Sequence, residues 1–235
     1  MAVRAVCHSG GSPLPITIRT VRIYTRRGDD GTTGLLYGDR VTKASPRIEL
    51  NGAVDEAQAA LGSARAESEP GSELDELLVA LERELYVLMA EVATGAEHRG
   101  KLVAGQSLVT EAMVVGLEEW IDRLSERFAM PAEFVVPGAN RAAAALDVAR
   151  TLVRRAERVL ASMPPLHLAP ELLRHEPDAA GKSGGRTGPA HGGREPSLVG
   201  PYLNRLSDLL WTMARWQEGE VHLAARDRPR RRGAG

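Results

Sequence analysis

Apolar residues recur at spacings of three and four in five stretches of this chain, roughly 45–67, 73–94, 107–129, 139–162 and 197–224. That spacing lines one side of an α-helix with apolar side chains and leaves the other side to charge. In the second stretch Leu74, Leu77, Leu78, Leu81, Leu85, Leu88 and Val92 form one stripe. The third uses Val114, Leu117, Trp120, Ile121, Leu124 and Phe128, and the fifth Leu203, Leu206, Leu209, Leu210, Met213 and Trp216. A helix with a single apolar stripe has to bury it against other helices, so the pattern predicts an all-α fold, a five-helix bundle. Ser72 ahead of Glu73 and Asp75 marks one helix start, and Pro137-Gly138 punctuates the chain before the fourth. Ahead of the bundle lies a loop-rich segment, with a short β-prone piece at Val21–Tyr24 and glycines at 28, 31, 34 and 38.

Other stretches fall outside this periodicity. Residues 1–20 are expected to be a disordered arm, 21–226 the helical domain, and 227–235 a disordered basic tail carrying Arg228, Arg230, Arg231 and Arg232. Within the domain, about 164–196 is rich in Pro, Gly, His and charge. It buries too little apolar surface to offset its ordering entropy, so a flexible insertion is expected there. The 235 residues are 43% hydrophobic, enough for a full core, and the charges nearly cancel to −1. That balance argues against a protein that coats nucleic acid, which needs a basic excess. Cys7 is the single cysteine, so no internal disulfide forms and a reducing, cytoplasmic setting is expected. No apolar run approaches the ~18 residues needed to cross a bilayer, so no membrane association is expected. The N-terminus, interrupted by Pro13 and Pro15, does not read as a secretory signal.

Two familiar motifs fail. Gly181-Lys182-Ser183 lacks the earlier glycine of a phosphate-binding P-loop, because position 176 is Glu, and neither strand nor helix flanks it. A di-iron bundle needs Glu three residues before His on a helix, and none of the six histidines has it. His167, His175 and His191 fall in or beside the insertion and read as solvated loop histidines, with a weak metal site as the lesser alternative.

Three constellations remain. The first is Tyr24-Thr25-Arg26-Arg27-Gly28-Asp29-Asp30-Gly31-Thr32-Thr33. Its glycines let backbone N–H groups approach an anion, its hydroxyls add donors, and Arg26, Arg27 and Lys43 supply countercharge. An ordinary Gly/Asp turn is the competing reading. The second is the fourth helix, where Arg150, Arg154 and Arg158 share one face opposite Leu146, Ala149, Val153, Ala156 and Leu160. Glu157 stands three residues after Arg154. Three adjacent cations call for a carboxylate or a polyphosphate opposite them, unless the face is simply solvated. The third pairs Asn51–Glu56, with Asp55 beside apolar Val54, and Asn204–Asp208 on the fifth helix. A carboxylate close to a packed face needs a cation.

Together these segments resemble the PduO-type ATP:cob(I)alamin adenosyltransferases. The resemblance rests on five motifs in order: Tyr24–Thr33, Gly52–Glu56, Phe134–Gly138, Ala149–Arg158 and Leu203–Asp208. It spans about residues 21–163 and 197–218. It implies a homotrimer with active sites at subunit interfaces, acting on ATP with Mg2+ and on a reduced corrinoid. Thr25, Arg26, Arg27, Gly28, Asp29, Gly31, Thr32, Thr33 and Lys43 would wrap the triphosphate. Arg154, Glu157, Arg158 and Asn204 would complete the nucleotide site. Asp55 and Arg150 would form an ion pair at the interface, and Phe134 would pack against the lower face of the corrin. Asp55, Arg150 and Arg154 are the residues on which catalysis is expected to turn. No protein-held metal is implied, since Mg2+ arrives on the nucleotide.

The implied reaction is attack of Co(I) on C5′ of ATP with release of triphosphate, yielding adenosylcobalamin. It needs no protein nucleophile or general base, only positioning and charge stabilisation of the leaving group. A reductase for Co(II) and a B12-dependent enzyme downstream are the implied partners. The competing reading is a non-catalytic nucleotide- or corrinoid-binding sensor or delivery module. The chain departs from the family pattern in the arm before Val21, in the insertion and in the arginine tail.

Overall fold

The computed structural model describes residues 24–166, 196–221 and 223–225. The arm at 1–20, nearly all of the β-prone piece, most of the insertion with its three histidines, and the tail lie outside them. Among the described residues the chain is mostly helical: α1 (Pro46–Ala66), α2 (Glu73–Val92), a short 3-10 helix (Ala96–Lys101), α3 (Glu111–Ser125), α4 (Arg141–Ala161) and α5 (Val199–Glu218). Two small antiparallel ribbons accompany them, β1 (Thr32–Gly34) with β2 (Arg40–Thr42), and β3 (Val135–Val136) with β4 (Leu223–Ala224).

Local chemistry sets the helix ends. Ser45, Ser72, Thr110 and Asn140 each turn a side-chain oxygen to a backbone N–H in the first turn, satisfying a donor that has no partner within the helix. Pro46 follows Ser45 in the first turn of α1, where its missing N–H costs nothing. The Asn140 Nδ2 also donates to the Gln217 carbonyl at 2.8 Å, tying the start of α4 to the end of α5. Two spans are shorter than the periodicity predicts by more than three residues. α3 starts at Glu111 rather than 107, because a turn precedes it in which the Ser107 hydroxyl accepts from the Val103 N–H. α5 stops at Glu218 because Gly219 takes φ 60°, and the chain then returns as β4 instead of continuing to 224.

α4 packs between α1 and α5; α2 covers α1 and α3 covers α5. The α4 stripe faces inward as expected, with Leu146, Ala149, Val153 and Ala156 fully buried. All seven stripe residues of α2 are buried as well. α3, at the edge, buries only Leu117 and Leu124, leaving Val114, Trp120 and Ile121 half-covered. Each fully buried leucine contributes about 2 kcal/mol of apolar transfer, so stability resides in the four-helix centre.

One end of the bundle is closed by buried charge. Arg47, 1% exposed, donates from Nη1 to the Val92 and Thr94 carbonyls at 2.7 and 3.0 Å and from Nη2 to the Leu166 carbonyl at 3.2 Å. It thereby caps the C-terminal end of α2, where four carbonyls lack helical partners. Glu91, fully buried, accepts from Arg99 at 2.8 Å, from the Val109 N–H at 2.8 Å and from the Ser197 hydroxyl at 2.6 Å. Leu166 is itself buried in the core, so the bundle extends two residues past Pro164, where the insertion was expected to begin.

Candidate active site

The Gly-rich loop is built locally and then pinned to the bundle. The Asp30 carboxylate accepts from the Thr32 N–H at 2.9 Å and the Thr32 hydroxyl at 2.8 Å, and these bonds hold its carboxyl below the usual range. Arg40 donates to the Arg27 carbonyl at 2.7 Å, bonds the Thr32 hydroxyl, and faces Asp30 at 3.7 Å. Asp30 and Arg40 therefore shape the loop, and neither stood among the expected site residues. The signal for Asp30 was its place two residues before Thr32, the spacing of an Asx turn. Arg26 sits at φ 61° and Gly31 at φ 81°, left-handed conformations that turn the chain sharply. The Lys43 N–H donates to the Gly31 carbonyl at 2.9 Å. A Cβ at Gly28 would come within 3.3 Å of Lys43 Nζ and 3.1 Å of the Thr32 carbonyl, so glycine lets the Lys43 ammonium lie over the loop. Leu36 donates to the Ala93 carbonyl at 2.8 Å, anchoring the segment to the end of α2. Thr25, Arg26, Arg27, Asp29 and Lys43 remain exposed, with their polar groups open to solvent.

On α4, Arg154 and Arg158 are exposed and Arg150 is half-buried. Arg158 donates to the Arg154 carbonyl at 3.1 Å. Among the described residues the Arg154 guanidinium has no ion pair, whereas its neighbour Arg155 bridges to Glu49 at 3.0 Å and to Glu56 on α1. Glu157 accepts from Asn204 Nδ2 at 3.0 Å, so these two expected residues meet across α4 and α5. The Asn204 amide oxygen accepts from Arg205 at 2.6 Å, and Arg205 pairs with Glu118 at 2.7 Å.

Asp55 is exposed on α1, one residue round from buried Val54, rather than close to the packed face as the sequence reading had it. One step along a helix turns a side chain by about 100°, which carries it from core to solvent. No ion pair joins Asp55 to Arg150 within the described chain. Arg150 Nε donates instead to Asp147 Oδ1 at 3.1 Å. The Thr25–Thr33 loop likewise makes no hydrogen bond or ion pair to α4 among the described residues.

Phe134 stands at the mouth of a cavity of about 790 Å3, lined also by Asp147, Arg150, Trp211 and Arg215. That volume is in the range of about 300–1,000 Å3 typical of small-molecule sites. Phe134 is 89% exposed. It is held there by the β3–β4 ribbon, through its carbonyl accepting from the Ala225 N–H at 2.7 Å. The cavity thus joins two expected residues, Phe134 and Arg150, to three that the sequence did not single out. Trp211 lies edge-on to Phe128 with ring centroids 6.4 Å apart. Among the described residues no group of three or more His, Cys, Asp or Glu could hold a metal ion, and no helix is long and apolar enough to cross a membrane.

Known proteins match this chain over the same span. A corrinoid adenosyltransferase of Citrobacter freundii is 38% identical over 198 residues, covering 84% of this chain and 95% of that enzyme. One from Mycobacterium tuberculosis is 32% identical over 200 residues, covering 85% and 90% respectively. Among solved structures, a variant of the PduO-type ATP:corrinoid adenosyltransferase of Lactobacillus reuteri, complexed with cobalamin and ATP, superposes with a TM-score of 0.67 at 26% identity, over 88% of this chain and 97% of that one. Residues 23–217 match the cobalamin adenosyltransferase family, and the chain belongs to it.

Proposed function

We propose that this protein transfers the 5′-deoxyadenosyl group of ATP to the cobalt of a reduced corrinoid. The observation that carries the reading is the coexistence of two separate sites: an exposed cationic Gly-rich loop, and an aromatic-rimmed cavity with Arg150 in its wall. Family membership supplies the two substrates that fit them. In the reaction, Co(I) donates an electron pair to C5′, the Co–C bond forms, the C5′–O bond breaks, and triphosphate leaves with the bonding pair. Mg2+ travels with the nucleotide as part of that substrate.

The chain's own residues position and stabilise. Backbone N–H groups and hydroxyls of Thr25–Thr33 receive phosphate oxygens, and Lys43 with Arg154 offsets the charge that grows on the leaving triphosphate. Glu157, Arg158 and Asn204 orient the rest of the nucleotide. Phe134 fills the lower face of the corrin, displacing the axial ligand and water, so that Co(II) is more easily reduced. Coordination and redox chemistry remain the corrinoid's own.

Two features support completion of the site by a second copy, in a homotrimer of helical bundles. The loop makes no bond to α4 in its own chain, and Asp55 is exposed without a cation partner among the described residues. An Asp55–Arg150 pair across the interface would supply that partner. A cytoplasmic setting, a reductase that delivers the electron and a B12-dependent enzyme that takes the product complete the reading.

The test supplies ATP, Mg2+ and chemically reduced cobalamin and follows the light-sensitive Co–C bond by absorbance. Product forming only as fast as in the protein-free control would favour a binding module over an enzyme.

A further inference from the structure

Asp147 is 5% exposed and is engaged on both oxygens. Oδ1 accepts from Arg150 Nε at 3.1 Å, and Oδ2 accepts from Arg215 Nη2 at 2.7 Å. Arg215, 3% exposed, continues to Glu218 at 2.8 Å, and its guanidinium lies 5.6 Å from the centre of the Trp211 ring. The result is a chain of two cations and two anions with no net charge. Asp147, Arg150 and Arg215 line the cavity under Phe134 together with Glu133, so the charged side chains of its wall balance at two cations and two anions.

Packing does not ask for this arrangement. α4 and α5 are already joined by Leu146, Ala149, Val153, Leu206, Leu210 and Met213, all fully buried. A buried ion network is often no more stabilising than apolar side chains of equal volume. Its placement in a cavity wall, next to an exposed aromatic, points to a ligand. The corrin rim is studded with amide side chains, whose carbonyl oxygens are acceptors for guanidinium N–H groups.

We propose that Asp147 is a positioning and specificity residue for the corrinoid: it bridges Arg150 and Arg215 so that their donors face the amide rim, and its charge keeps the wall neutral, favouring amides over free carboxylates. The inference rests on reading the Phe134 cavity as the corrinoid site.

The experiment measures kcat and KM for Asp147→Asn, Asp147→Glu and Phe134→Ala. ATP, cobalamin and a cobalamin monocarboxylic acid are varied in turn, and Tm is recorded for each variant. Asp147→Asn removes a charged acceptor shared by two donors. It should raise the KM for cobalamin about tenfold, leave the KM for ATP unchanged and shift preference toward the monocarboxylate. Asp147→Glu should restore the preference for the amide form. If Phe134→Ala leaves the cobalamin KM unchanged, the cavity is not the corrinoid site and both readings fall. If Phe134→Ala raises it while Asp147→Asn does not, or raises both substrate KM values together with a lowered Tm, only the role of Asp147 is overturned. Should Asp147→Asn not fold, Asp147→Glu decides alone. A displaced carboxylate should still raise the cobalamin KM and spare that for ATP, and wild-type values for both would overturn the proposal.

Discussion

Asn204 Nδ2 donates to Glu157 Oε1 at 3.0 Å, while the oxygen of the same amide accepts from Arg205 at 2.6 Å. The amide is thus held from both ends, and Arg205 is held in turn by Glu118 at 2.7 Å. A side chain fixed this way keeps one orientation, the one in which the proposed function has it meet the nucleotide. Asn204→Asp keeps the shape, removes the donor and sets a second carboxylate against Glu157. The KM for ATP should rise about tenfold while the KM for cobalamin stays at its wild-type value. Steady-state kinetics with each substrate varied checks this.

Arg154 offers a cleaner separation of function from stability. It is exposed, and its guanidinium pairs with no carboxylate among the described residues. Arg154→Ala should leave Tm within about 1 °C of wild type, as surface changes do, yet raise the KM for ATP or abolish turnover. Kinetics identical to wild type would remove Arg154 from the site.

Phe134 tests the corrin side in the same way. With 89% of its surface exposed, its truncation removes almost no buried area, so Tm should hold. The reaction that starts from Co(II) and a reductant should slow more than the one supplied with Co(I). Equal slowing in both assays would sink the role in displacing the axial ligand.

Glu84 gives a pH prediction for the fold itself. Burial pushes its carboxyl above the ordinary 4.5, and the hydrogen bond from Tyr202, 2.8 Å long, only partly opposes this. A carboxylic acid with a raised value in the fold stabilises it while protonated, and loses that stabilisation as pH rises through the folded value. Ionised Glu84 therefore weakens the protein at neutral pH. Glu84→Gln should raise Tm at pH 7, and the gain should vanish below pH 4.5, which thermal melts across pH would show.

The helices were legible because apolar spacing reports burial directly. Leu74 to Val92 and Leu146 to Ala156 are inward-facing as their intervals require. Periodicity is blind to buried charge, since a polar residue on the inner face looks like any other polar residue. Arg47, Glu91, Asp147 and Arg215 were invisible for that reason. Each also has a partner far along the chain, Asp147 and Arg215 being 68 residues apart. The loop was recognisable from its glycines and hydroxyls, but the residues that shape it, Asp30 and Arg40, act through bonds that need the folded turn. Phe134 carried no physical signal in the sequence, and resemblance alone singled it out. Its cavity depends on a ribbon, β3 with β4, whose strands are too short to leave an alternation pattern.

The buried charges at the end of α2 have a consequence for the chain's history. Arg47 holds the Leu166 carbonyl and Glu91 holds the Ser197 hydroxyl, so the backbone departs and re-enters beside the same helical turn. A doorway with both jambs fixed places no demand on the length of what passes through it. Loop-closure entropy grows only slowly with length, at about 0.6 kcal/mol per doubling. The anchors at Leu166 and Ser197 thus fix where the backbone leaves and rejoins the bundle, which makes this corner a graft point at which to insert a reporter or a tether.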